Sequence, residues 1–264
     1  MLLIYDLEYG AGAACFTGSN GSAVMIDCGD RQSFQYQITR SLRGLGISPD
    51  SVVLSHGDAG HIAGIREVTE SFPIRQAWMP VRESRSAGYQ EWIREGESHG
   101  VKILHAENLR DIPLPDGARL EVIHAPDPMA KNILADDRVA VFRLHWRGWK
   151  LLLTSDAGYK IETELLRSGR DLSADIIIAG RHRRDPSLGD DFLSAVNPQA
   201  IVASHSPYPA EERLDPKQVA YWRSRGLKVA NQADTGGVTI RLAGNGDLLI
   251  EGYVDRSVIR LSRR

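Results

Sequence analysis

The chain of 264 residues is 42% hydrophobic and 25% charged, an ordinary balance for a globular chain long enough to bury a large core in one domain. Its formal net charge of -2 supplies no global attraction for nucleic acid or an anionic membrane, so a polyanion would have to meet a local basic patch. No apolar stretch approaches the roughly 20 residues that span a bilayer, and Met1 leads into a strand-like segment instead of a signal sequence, so the chain as given reads as soluble.

In chain order, strand-like runs are expected at 1–6, 12–17, 23–27, 51–55, 74–78, 101–105, 119–124, 139–145, 149–154, 174–179, 199–203, 227–230, 236–242 and 247–252. Helical patterns fall at 33–45, 61–71, 86–99, 160–168, 189–196 and 215–225, many after a capping residue or a proline. The early strands are joined by hairpins and the later ones alternate with helices, which points to sheets covered by helices and away from an all-β barrel. There is no internal repeat and no low-complexity linker. The basic tail from Asp255 to Arg264 is expected to be loosely held. A turn at Ser19–Ser22 would place Cys15 diagonal to Cys28, a geometry that does not favour a disulfide, so both read as small buried hydrophobes.

Chemistry concentrates where strands end. Val52 to Leu54 runs into a loop carrying His56, Asp58 and His61, a spacing that converges ligands on one metal. An apolar pattern at Ile62, Ile65, Val68 and Phe72 then predicts one helix ending before Pro73. Gly57, Gly60 and Gly64 relax the backbone between, so that imidazole and carboxylate groups can turn inward. The plain alternative is a polar loop with two unrelated histidines. Further on, an apolar run from Trp149 ends at Asp156, and another from Ala174 delivers His182 beside Arg181, Arg183 and Arg184. For Asp156 the structural alternative is a helix N-cap, and for the 181–184 run a solvated loop. Ile201 to His205 is a further strand with a terminal histidine, a weaker candidate, while His99, His105, His124 and His145 read as ordinary strand or helix residues. Trp146 and Trp149 flank Arg147-Gly148 and could stack nucleobases, although a hairpin with packed aromatics accounts for them more simply.

The order of these motifs resembles the metallo-β-lactamase superfamily, in particular the β-lactamase-like C-terminal domain of ComEC-type competence DNA-uptake proteins. Met25-Ile26-Asp27-Cys28-Gly29 is similar to the family's Ile-Asp-Thr-Gly, Leu54 to Gly64 to its Ser-His-x-Asp-x-Asp-His-x-x-Gly, and Leu153 to Asp156 to its Leu-Thr-Gly-Asp. Ala174 to His182 resembles the strand before its His-His-Gly-Ser, and Asp136 to Val141 its Asn/Asp-x-x-Ser-Leu-Val. The resemblance implies an α/β (α+β) fold, a four-layer αββα sandwich over 1–254 followed by the tail 255–264. It implies that His56, Asp58, His61, Asp156 and His182 are metal positions, that Asp58 and Asp156 are catalytic, and that Asp27 braces the metal loop. Active relatives use two divalent ions, manganese or zinc, to attack a phosphodiester.

Several positions depart from that pattern. Gly60 stands where the family carries the Asp of its second metal, and Arg181 replaces the first of the paired histidines. Arg183-Arg184 replace Gly-Ser, Asp6 to Ala11 replace the opening Asp-Val-Gly-Gln-Gly-Asp, and a late Gly-His-Pro is missing. A fixed guanidinium near the cavity repels a cation and attracts a phosphate. The expectation is therefore a reduced site with one ion, or with none and a pocket in which Arg181, Arg183 and Arg184 bind phosphate or single-stranded DNA. Three functions follow: a DNA phosphodiesterase of the uptake machinery, a noncatalytic domain that binds DNA or a partner, and a free-standing hydrolase of a small ester or thioester. By resemblance the domain belongs to a larger protein with a membrane-channel portion and faces the outside of a bacterial membrane.

Overall fold

The computed structural model describes residues 1–80, 87–105, 111–127, 136–180, 186–205, 208, 210 and 213–264, with Ala87, Gly88 and Asp136 described through their backbone alone. Strands built from alternating apolar residues dominate it. The first sheet has the order β16 (Val258–Leu261), β15 (Leu248–Gly252), β14 (Val238–Leu242), β1 (Leu2–Ile4), β2 (Ala14–Thr17), β3 (Ser22–Ile26), β4 (Ser48–Val53), β5 (Gln76–Met79) and β6 (Lys102–His105). The second runs β13 (Lys228–Asn231), β12 (Ala200–Ala203), β11 (Ile176–Ala179), β10 (Trp149–Ser155), β9 (Val141–Trp146), β8 (Arg119–His124) and β7 (Asp111–Pro113).

Side-chain alternation divides the core into three apolar layers, and three layers between sheets and helices require four layers of secondary structure. Leu2, Ile4, Phe16, Val24 and Ile26 from the first sheet meet Phe142, Leu151, Leu153, Ile176 and Val202 from the second. On the outer face of the first sheet, Leu3, Cys15, Met25 and Val52 pack on Phe34, Ile38, Leu42, Val68 and Trp92. These come from a helical run of α1 (Arg31–Ser33), a π-helical turn (Phe34–Ile38) and α2 (Thr39–Gly44), and from α4 (Ile65–Ser71) and α5 (Ala87–Ser98), with α3 (Ala59–Ile62) lying between. On the outer face of the second sheet, Leu152, Ile177 and Ile201 pack on Ile161, Leu165, Phe192 and Trp222. Their helices are α6 (Tyr159–Arg167), α7 (Asp190–Val196) and α8 (Pro216–Ser224), and the short α9 (Gln232–Thr235) follows β13. The expected four-layer αββα sandwich is the observed one. Strands such as β11, buried on both faces, read as unbroken apolar runs for this reason.

Two expectations need correction. The helix expected over 61–71 is two pieces, because Gly64 lies against the loop after β3: a Cβ there would sit 2.6 Å from Cys28 O and 2.8 Å from Phe34 Cβ. The tail expected to be loose instead supplies β16, paired in register with β15, and Leu261 is buried. The hairpin with packed aromatics expected at Trp146–Trp149 is present: it turns through Arg147 (φ 51°) and Gly148 (φ 85°) and buries both indoles, so neither offers a face to a nucleobase. Asp156 does not cap α6, whose N-cap is Gly158. Cys15 and Cys28 are free and buried, as expected. Among the described residues no helix is long and apolar enough to cross a membrane.

Strands β3 to β6 run parallel, as do β10 to β13, and the loops after β3, β4, β10, β11 and β12 gather on one edge of the sandwich. Ligand sites collect outside the carboxyl ends of parallel strands, where rigid backbone meets adaptable loop. Ala140 N donates to Ser55 O across the two sheets (2.7 Å), which locks this edge together.

Two stability measurements test this packing. Gly64→Ala should cost about 1–3 kcal/mol in urea unfolding, whereas Gly44→Ala, whose Cβ would meet open space, should be neutral or stabilising by up to ~1 kcal/mol. Equal effects at the two sites would contradict the close approach at Gly64. The second concerns Asp6 after β1, where burial and then the charge of Glu8 push the carboxyl up to about 6. The folded state thus favours the protonated acid: there is no penalty below about pH 4, stability falls as pH rises towards 6, and the loss persists above. Asp6→Asn should raise stability at pH 7.5 and much less at pH 4; an equal gain at both would contradict it.

Candidate metal centre

The site is assembled from the loop after β4 outward. Leu54 is buried, Ser55 and His56 follow, and Asp58 turns its carboxylate onto Gly60 N (2.9 Å) as the N-cap of α3. The cap starts a helical turn that carries His61 back towards the strand ends. Gly12 lies flat against this imidazole, since a Cβ there would be 2.4 Å from His61 Cε1. Cys28 N donates to His61 O (2.8 Å) and Gly12 N to Gly60 O (3.2 Å), so the loops after β1 and β3 both hold α3.

Asp27, at the end of β3, takes a left-handed backbone (φ 54°) that turns its carboxylate beneath the loop. There it accepts from Ser55 N (2.7 Å), Ser55 Oγ (2.6 Å) and His61 Nδ1 (2.9 Å). Ser55 Oγ gives its proton to Asp27, so it accepts from His56 Nδ1 at 2.9 Å. That assignment makes Nε2 the acceptor end of His56. Strand β10 ends in a second left-handed residue, Ser155 (φ 48°), at a register shift against β11. Its Oγ meets Ser55 Oγ at 2.9 Å, and Asp156 is thereby directed at the histidines. Asp156 Oδ2 lies 3.1 Å from His61 Nε2 and 3.9 Å from His56 Nε2. Gly180, after β11, makes room for it: a Cβ there would be 2.1 Å from Asp156 Oδ1. Left-handed non-glycine residues on both sides of one site are the kind of local strain that a folded scaffold sustains where chemistry needs it.

His56, His61 and Asp156 are 0%, 3% and 8% exposed, so these groups interact in a medium that screens charge poorly. Burial opposes charge on His61, but the carboxylates of Asp156 and Asp27 outweigh it and hold this imidazole well above the usual histidine range. The result is two carboxylates around a histidine pair whose ring centroids are 4.2 Å apart. Two imidazole nitrogens and a carboxylate oxygen are a zinc- or manganese-type donor set, and three protein ligands leave a coordination position open. Asp27, His56 and His61 also offer donor atoms within 4.8 Å of one another. Asp27 already accepts three hydrogen bonds, however, and it holds the Nδ1 of His61. That is how a bracing carboxylate orients a metal-binding histidine, which leaves the Nε2 side facing Asp156 as the better seat for an ion. The described residues fit a divalent ion.

A cavity of about 70 Å³ adjoins these groups, lined by Asp27, Ser55, His61 and Asp156, with Gly10 to Gly12 as one wall and Ile26, Phe142 and Leu153 beneath. His205, buried at the end of β12, lines it too. The sequence reading ranked His205 low because no family ligand matches it. The signal was its place at a strand end like that of Asp156, but only the alignment of β11 with β12 brings the two ends together. Of the expected site residues, His56, His61, Asp156 and Asp27 converge, and Asp58 caps α3. Arg181, His182, Arg183 and Arg184 lie outside the described residues. At Gly60 a Cβ would sit 3.2 Å from Ala11 Cα and 3.3 Å from Gly10 O, so an aspartate there requires the 10–11 loop to move.

Residues 12–205 match the family model described as the Metallo-beta-lactamase superfamily. Among curated proteins, the chain is 26% identical over 241 residues to Competence protein ComA of Neisseria gonorrhoeae, covering 90% of this chain and 32% of that protein. It is 22% identical over 218 residues to ComE operon protein 3 of Bacillus subtilis (strain 168), covering 75% of this chain and 27% of that protein. The chain thus spans about a third or less of these relatives. Among solved structures, the metallo-beta-lactamase fold protein YhfI from Bacillus subtilis superposes with a TM-score of 0.58 at 14% identity, over 87% of this chain and 95% of that one. Tm1679, described as a metal-dependent hydrolase of the beta-lactamase superfamily, gives a TM-score of 0.55 at 15% identity, over 88% and 96%. With the layered fold, the strand-end site and a family match across most of its length, the chain belongs to the metallo-β-lactamase superfamily.

Proposed function

We propose that this chain is a metal-dependent phosphodiesterase domain acting on DNA, with a site reduced to one ion, within a ComEC-like competence protein. The observation that carries the reading is the convergence of His56 Nε2, His61 Nε2 and Asp156 Oδ2 beside a buried cavity. Those three atoms would hold the ion, with His182 as the candidate from the sequence for a further ligand and His205 facing the same space. A bound manganese or zinc ion supplies a Lewis acid for a phosphoryl oxygen and acidifies water beside it. The chain's own groups do the positioning. Asp27 sets the orientation of His61, Ser55 fixes the tautomer of His56, and Asp58 is assigned to hold α3 in place instead of to ligation. Asp156 balances the charge of the ion, and Gly10 to Gly12 bring backbone close to the substrate. Arg181, Arg183 and Arg184 are proposed to receive the phosphate, a role for which a planar, permanently charged guanidinium is suited.

The residue at 60 supports one ion over two, because the position that would carry another hard oxygen ligand has no side chain and is closely approached by the 10–11 loop. The relatives are competence proteins, which supports a substrate of single-stranded DNA, a membrane-channel portion as neighbour and an extracytoplasmic position. A noncatalytic DNA-binding domain is the other outcome of the same experiment.

Metal-stripped protein titrated with manganese or zinc should take up one ion per chain and then cleave a labelled single-stranded oligonucleotide. His56→Ala and Asp156→Ala should each abolish both, as judged by calorimetry and gel assay. Two ions per chain would contradict the reduced site, and an ion bound without turnover would leave only the binding role. Asp27→Asn replaces an acceptor-only group with an amide. It should lower metal affinity ~10- to 100-fold and cost about 1–3 kcal/mol of stability in the metal-free protein; unchanged affinity would remove Asp27 as the brace.

A further inference from the structure

With Trp146 and Trp149 buried, the aromatic surface near the site lies elsewhere. Tyr9 and Tyr208 are 65% and 52% exposed, and their rings meet edge to face at 5.3 Å and 90°. Tyr9 N donates to the Tyr208 carbonyl at 3.0 Å, joining the loop after β1 to the segment that follows β12. Both segments border the cavity: Gly10, Ala11 and Gly12 line it directly after Tyr9, and Ser204 and His205 line it shortly before Tyr208. The pair therefore joins two segments that each contribute residues to the cavity. Tyr9 (φ 58°) and Gly10 (φ 69°) are both left-handed, an unusual conformation for an aromatic residue. The backbone thus accepts strain in order to present the ring. Core packing does not explain that cost, because more than half of each residue faces solvent.

From this arrangement we propose that Tyr9 and Tyr208 form a stacking platform for a nucleobase of single-stranded nucleic acid whose adjacent phosphate lies over the cavity. The proposal rests on the phosphodiester reading for the identity of the substrate, but it concerns binding, not cleavage. A base within a duplex has both faces covered, whereas an unpaired base offers its face to an aromatic ring. Every base has such a face, so the platform selects strandedness and not sequence.

The test uses metal-stripped protein in chelator, so that nothing is cleaved. A labelled short oligothymidylate and an abasic oligonucleotide of equal length and charge are compared by fluorescence anisotropy. The oligothymidylate should bind ~10-fold or more tightly than the abasic strand. Tyr9→Ala and Tyr208→Ala should each erase most of that preference with little effect on the abasic strand, and Tyr9→Phe and Tyr208→Phe should keep it. If the left-handed position 9 does not tolerate alanine, Tyr208→Ala decides alone. Equal binding of the two strands by the wild type, no binding of either, or a preference that survives in the alanine variants would overturn the platform. Loss of metal-dependent turnover with the preference intact would sink the phosphodiesterase reading and leave the platform standing.

Discussion

The carboxylate of Asp27 is the interaction on which the site depends. Through three accepted hydrogen bonds it ties the end of β3 to the end of β4 and to the imidazole of His61. A buried carboxylate without those donors would be costly, and the donors without it would be stranded in a low-dielectric interior. Each group therefore makes the burial of the others tolerable. The same bonds settle which nitrogen each histidine offers to the cavity, because Ser55 Oγ passes its proton to Asp27 and takes one from His56. Geometry and the choice of nitrogen are set before any ion arrives, and the proton that His61 Nε2 holds against Asp156 leaves when an ion binds.

From that anchor the rest follows by layers. The inward-facing apolar side chains of β3, β4, β10 and β11 hold two sheets face to face, and their parallel halves end on the same edge. Asp156 reaches the histidines because Ser155 bends β10 at a register shift and Gly180 leaves the volume that Asp156 occupies. The superfamily supplies the scaffold. At Gly60 a Cβ would lie 3.2 Å from Ala11 Cα and 3.3 Å from Gly10 O, so a larger residue there presses on the loop after β1.

Much of this was legible in the residues. Strand ends carrying His56, His61 and Asp156 announced themselves as apolar runs that stop at a polar ligand, and Asp27 followed from the motif around it. Other features were not legible, for physical reasons. The break at Gly64 depends on a carbonyl from a segment more than thirty residues earlier in the chain. Strand β16 is only four residues long in a basic stretch, and it exists because β15 offers an edge to pair with. His205 gains meaning only when β12 is set beside β11. The hairpin of Trp146 and Trp149 was legible from its Arg-Gly turn, whereas the contact between Tyr9 and Tyr208, far apart in sequence, was not.

We propose a single ion between the two Nε2 atoms and Asp156. X-ray absorption at the metal edge of protein loaded with zinc or manganese reads that shell directly. Such a centre gives imidazole scattering from two or more histidines with light oxygen ligands and no metal–metal scattering. A metal–metal vector near ~3.5–4 Å, the separation of paired catalytic ions, or a shell without imidazole, would contradict it.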